Sequence, residues 1–89
     1  MSKIIMEADS LKGILHQVQT EDGKYYWIST REVEKPLGNG YETVAVKCRM
    51  NGYVSRSAWQ NASEWRHGKN AAEAAQFHRN ICENLEVMI

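Results

Sequence analysis

Between residues 14 and 57 apolar and polar positions alternate in short runs cut by glycine, the period-two pattern of half-buried strands. "ILHQVQT" (14–20) and "YYWIST" (25–30) flank Asp22-Gly23, and "YETVAVKCRM" (41–50) and "YVSRS" (53–57) flank Asn51-Gly52. Asp-Gly and Asn-Gly tolerate the positive φ that two-residue hairpin turns demand, so each pair predicts an antiparallel hairpin, with 53–57 a short edge strand. A third glycine signal, "LGNG" (37–40), joins the two hairpins. Pro36, the single proline, sits in that connection, where its missing N–H breaks no ladder. The strand at 41–50 puts Glu42, Val44, Val46, Cys48 and Met50 on one side and Tyr41, Thr43, Ala45, Lys47 and Arg49 on the other. The first set, apart from Glu42 at its end, is expected to face the core and the second to face water.

After residue 70 the period changes. Ala71, Ala74, Ala75, His78, Ile81, Cys82 and Leu85 recur at the three-and-four spacing of a helix laid on a sheet. Asn70 is a good N-cap and Glu73 follows three residues on, a variant of the capping box. Residues 58–69 read as a loop and 70–87 as the helix. The first 13 residues are open between a strand, "KIIME", that extends the sheet and an arm, with some helical character in "EADSLKGILHQV". The expected fold is a single α+β domain over residues 1–89, an antiparallel meander of about four strands with one carboxyl-terminal helix packed on one face. One helix covers one face only, so aromatics of "YYWIST" are expected on the other. Whether Trp27 or Ile28 points inward stays open. The apolar "EVMI" at 86–89 closes the core or mediates a contact between two copies, so a homodimer is a further reading.

At 89 residues the chain is near the lower end of the size at which a single core suffices, which gives partners weight. Its formal charge is zero, so any electrostatic function must come from local patches rather than overall attraction to nucleic acid. No apolar run reaches signal-peptide or membrane-spanning length, and the expected location is the cytoplasm, without a membrane partner. Cys48 and Cys82 are then expected to be free, reduced and buried.

His78 and Cys82 stand four residues apart on one helical face, a spacing at which two side chains can share a metal. Zinc normally takes three or four ligands, and the residues that would complete a set, Cys48, His67 or His16, show no motif spacing. No metal and no cofactor are therefore expected, and His78 and Cys82 are read as structural along with Asn70 and Glu73. A neutral His78 would bond a backbone carbonyl or a strand side chain such as Thr43. Inward-facing cysteines lack the exposed, electropositive setting of a catalytic thiol, Ser29, Ser55 and Ser57 lack an elbow motif, and the acids are too scattered for an acid–base pair. The chain is not expected to be an enzyme.

The run from 47 to 69 differs from the rest. It holds Lys47, Arg49, Arg56, Arg66, His67 and Lys69 against a single acid, Glu64, with Tyr53, Trp59 and Trp65 interleaved. Cations beside planar rings suit phosphates and bases, or an acidic surface of a partner protein. The candidate binding residues are Lys47, Arg49, Tyr53, Arg56, Trp59, Trp65 and Arg66. The plainer reading is that the charges solvate an exposed face while Trp59 or Trp65 closes the core edge.

Ser29-Thr30 at a strand end, a glycine-rich loop with Gly38 and Gly40, Glu42-Thr43 leading into Val44 to Val46, Arg66, the capped start at Asn70, and Glu73-Ala74 followed by His78 form a further pattern. It resembles small accessory proteins of tailed bacteriophages and prophages. The chain departs from that family in "AVKC", where a bulkier apolar finish is usual, in Phe77 where a glycine is usual, and in the position of Arg66. The resemblance implies a phage or prophage origin and a shared α+β fold, and brings no activity. The favoured expectation is a non-enzymatic accessory protein that binds and modulates a host or defence protein, inhibition of the anti-CRISPR type being one form. The alternative is a nucleic-acid or nucleotide-binding module using the basic, aromatic segment 47–69. A small metal- or thiol-dependent enzyme is the remaining one.

Overall fold

The computed structural model describes residues 1–8, 13–35, 38–67 and 70–89, with only the backbone described at 35, 38 and 39. The elements are β1 (Lys3–Ala8), β2 (Gly13–Gln19), β3 (Tyr25–Lys35), β4 (Gly38–Cys48), α1 (Arg56–Gln60), β5 (Ser63–His67), α2 (Ala71–Glu83) and α3 (Leu85–Met88). The strands pair in chain order, every neighbour antiparallel, so the meander is as expected but has five strands. Two short helical segments join the expected long one.

Each turn signal has its own outcome. At Asp22-Gly23 the chain makes a three-residue loop rather than a two-residue one: Gly23 N donates to Thr20 O at 3.0 Å, and Thr20 N to Lys24 O at 2.9 Å. Gly23, at φ 85°, supplies the left-handed residue that ends such a loop. Asn51-Gly52 repeats the geometry, with Gly52 N on Arg49 O at 2.8 Å and Arg49 N on Tyr53 O at 2.9 Å. Gly38 and Gly40 lie not in a loop but inside β4, Gly38 opposite Lys35 and Gly40 opposite Val33. Pro36 lies outside the described residues.

The strand expected at 53–57 does not form. The Trp27 indole donates from Nε1 to Gly52 O at 2.9 Å and lies 3.1 Å from where a Gly52 Cβ would stand, which ties the turn over the sheet face. Ser55 then caps α1, its Oγ accepting from Ala58 N at 3.2 Å. The place beside β4 goes instead to Ser63–His67, read from sequence as loop, which pairs with Tyr41–Ala45. The opening segment is strand β1, with a register shift between Ile4 and Met6.

On β4 the expectation holds for Val46 and Cys48, which are buried, and for Lys47 and Arg49, which are exposed, but fails for Thr43 and Ala45, which are buried, and for Met50, which is exposed. Val18, Ile28 and Ala45 pack under Ile81, Cys82 and Leu85, with Tyr26, Trp65 and Phe77 at the margin. Thr43 and Ala45 thus face α2 and are buried, while Val44 and Val46 face the other side. The small Thr43 and Ala45 let the helix approach, and the threonine hydroxyls under it satisfy one another. Ile28, fully buried, is the inward residue of β3, and Trp27 points away from the helix. A fully buried Ile contributes roughly 1.5–3 kcal/mol.

Asn70 caps α2 as expected, Oδ1 accepting from Glu73 N at 2.9 Å. Ala74, His78, Ile81, Cys82 and then Leu85 are buried, but Ala71 and Ala75 are exposed. The helix also breaks at Asn84 instead of running to 87. Ser2, buried against that break, donates from Oγ to Cys82 O at 2.6 Å and accepts from Leu85 N at 2.9 Å. Two backbone groups freed by the interruption are thereby paired.

Candidate functional site: a basic cleft and a histidine chain

β5 covers only the Tyr41–Ala45 half of β4, and α1 packs beside the remainder. The step between them opens a cleft of about 510 Å³. Lys47, opposite Tyr26 at the end of β4, enters it from one wall, with Arg49 from the turn beyond. Tyr53 follows the Asn51-Gly52 turn and lies under the Arg49 guanidinium, 5.0 Å from Cζ to the ring centroid, a cation–π arrangement. Ser55, Ser57, Asn61 and Ser63 bring hydroxyl and amide groups from the far wall. None of the ion pairs among the described residues uses Lys47, Arg49 or Arg56. The cleft therefore offers cations without carboxylate partners, ring faces and donors: the groups that hold a phosphate and stack a base.

The other residues of the basic run go elsewhere. Arg66 lies on the face opposite α2, its Nε 3.8 Å from Glu42 Oε2. Trp65 is half-buried, edge-on to Phe77 at 6.5 Å between centroids, which makes it a core-edge residue. Trp59 is 57% exposed and lies with Leu15, Trp27, Val44, Val46 and Val54 along a separate, largely apolar hollow of about 370 Å³. Arg56 is exposed on α1 and lines neither hollow. Lys69 lies outside the described residues. Of the expected set, then, only Lys47, Arg49 and Tyr53 converge. The turn at Asn51-Gly52 also brings Ser55 and Ser57 to them, as its position in the sequence implies, whereas Tyr26, Asn61 and Ser63 are additions, although the parity that puts Lys47 opposite Tyr26 follows from the hairpin register.

A second cluster runs beneath α2. His16 Nδ1 is 2.8 Å from His78 Nε2, and His78 Nδ1 is 2.8 Å from Thr30 Oγ1. Thr30 Oγ1 meets Thr43 Oγ1 at 2.6 Å, and Thr43 Oγ1 meets His67 Nε2 at 3.0 Å. All three histidines of the chain are thus joined across four strands and a helix through two hydroxyls. His78 does bond a strand threonine, but it is Thr30 directly, with Thr43 one link further. Burial, and then the neighbouring His16 charge, push the His78 pKa down to about 4, so the ring is neutral near pH 7. Burial pushes the Cys82 thiol up to about 12, with Glu83 adding and Arg79 opposing. Cys48 is raised by burial against a hydrogen bond from Gln17. Both cysteines are free and buried, as expected, and neither is set up as a thiolate nucleophile. His16 shares the inward parity of Val18 on β2, the one sequence signal that would have placed it near α2.

Among the described residues no helix is long and apolar enough to cross a membrane. No known protein family, curated protein or solved structure matches the chain.

Proposed function

We propose that this protein is a non-catalytic binding module that takes a phosphate-bearing ligand, a nucleotide or a single-stranded nucleic acid, in the cleft between β4 and α1. The observation that carries the reading is the convergence of Lys47 and Arg49, neither in an ion pair among the described residues, with Tyr53, Tyr26 and three serines around one concavity. Phosphate contacts supply affinity that falls steeply with salt, and the tyrosine rings give bases a stacking surface. The protonated state of both thiols supports a role without covalent chemistry. The test is fluorescence anisotropy with a labelled single-stranded oligonucleotide across a salt series. Binding should weaken as salt rises, and Lys47→Ala with Arg49→Ala should cost at least about tenfold and flatten the slope. Absence of binding at low salt contradicts the reading.

A second reading is supported by the other face. A phage accessory protein that binds and modulates a host or defence protein would use an exposed aromatic anchor, and Trp59 with Val54, Leu15 and Val44 provides an apolar one. Its phage origin rests on the sequence resemblance alone. Stoichiometric recovery of one host protein that is lost on Trp59→Ala supports this reading; equal recovery by the Trp59→Ala chain contradicts it.

A further inference from the structure

We infer that His16, His78 and Cys82 form a binding site for a divalent transition metal of zinc-like preference. The three side chains come from β2 and two successive turns of α2, and one ring nitrogen of each histidine and the Cys82 Sγ all lie within 4.8 Å of one another. Imidazole nitrogen and thiolate sulfur are the ligand types zinc takes, at about 2.0–2.1 and 2.3 Å, which puts ligand atoms of a tetrahedron about 3.3–3.6 Å apart. The two nitrogens, now 2.8 Å apart, need to open by only about half an ångström on that scale. The sulfur, within 4.8 Å of both, would have to approach to that range. Glu7, exposed on β1, pairs with His16 in the strand register, so its carboxylate would have to turn toward the cluster to fill the fourth position. One thiolate and one carboxylate would neutralise a divalent ion, which a buried charge requires.

The hydrogen-bond chain supplies the outer support that such sites use. When His78 ligates through Nε2, its Nδ1 carries the proton and donates to Thr30 Oγ1 at 2.8 Å. Thr30 then donates to Thr43, and Thr43 to His67 Nε2, which accepts. Each hydroxyl is used once as donor and once as acceptor, so ligation leaves both threonine hydroxyls paired. In the metal-free chain a proton occupies the line between His16 Nδ1 and His78 Nε2. On binding, half-buried His16 carries its proton on Nε2 instead, and Cys82 releases its thiol proton to solvent as the metal–sulfur bond forms.

The test is titration of the chelator-treated full chain with Co²⁺, then Zn²⁺, followed by absorption. Expected are one Co²⁺ per chain, tetrahedral ligand-field bands and a thiolate-to-cobalt charge-transfer band, all removed by one equivalent of Zn²⁺. Cys48→Ala should keep the band. His16→Ala, at a half-buried position, should keep native circular dichroism and bind at least tenfold more weakly. The charge-transfer band reports on Cys82 in the unaltered chain, so the result does not depend on a Cys82 variant that folds. No stoichiometric Co²⁺ binding, binding without the charge-transfer band, or undiminished binding by His16→Ala would overturn the site.

Discussion

Under α2 the sheet presents Thr30, Thr43, His16 and Ala45 between Val18 and Ile28, while its other face presents Leu15, Trp27, Val44 and Val46. The face that looks more apolar is the one without the helix. Two different solutions to burial explain this. Under α2 the polar positions are short enough to let the helix come close, and they saturate one another in a chain of hydrogen bonds, so the low-dielectric site carries no orphaned polar atom among the described residues. On the open face the cover is the turn at Gly52 and the segment through Trp59, fixed by the Trp27 indole, and it leaves a hollow. Packing in the first case is continuous; in the second it is local.

Substitutions should separate the faces most strongly where packing is tightest. Ile81→Ala, from a fully buried position under the sheet, should cost about 2–5 kcal/mol by urea denaturation. Val44→Ala, half-buried on the other face, should cost about 1 kcal/mol or less. Equal losses would mean that the faces are not distinct. Next comes acid. Since burial holds His78 at about 4 in the folded chain against an ordinary value of 6.5, the unfolded chain protonates first as pH falls. Stability of the metal-free protein should therefore be full above pH 6.5 and decline towards pH 4, by about 3 kcal/mol in all. A flat profile across that window would break the picture of a neutral, buried His78.

Smaller effects sharpen the same contrast. Thr43→Val removes a hydroxyl shared by Thr30 and His67 while keeping its shape, and should cost about 1–3 kcal/mol in thermal or denaturant unfolding. A neutral result would make the hydrogen-bond chain incidental. Smallest is Trp59→Ala, whose exposure predicts a change within about 0.5 kcal/mol. A large loss would show that the open face is held as firmly as the covered one.

What could be read from sequence follows the same division. Local signals survived: Asp22-Gly23 and Asn51-Gly52 made their turns, and Asn70 capped α2. For β4, apolar alternation found Val46 and Cys48 buried but missed Thr43 and Ala45, because it ranks the faces by greasiness, whereas the helix selected the side whose small residues admit close approach. β5 was hidden because "SEWRH" carries three ionisable residues in five, and only its pairing with β4 marks it as strand. The basic run was legible as composition, but strand parity and the step at α1 divided it, keeping Lys47, Arg49 and Tyr53 together and sending Arg66, Trp59 and Trp65 elsewhere. His16 and His67 joined His78 through topology, which spacing along the chain does not encode.

The most direct measurement is a chemical-shift map of the backbone amides and tryptophan indoles on addition of a single-stranded oligonucleotide at low salt. Lys47, Arg49, Tyr53, Ser55 and Ser57, around the basic cleft, should shift together and recover as salt is raised. The Trp27 and Trp59 indoles of the opposite face should stay where they are. Shifts confined to Leu15, Trp27, Val44 and Trp59, with the cleft unmoved, would contradict it.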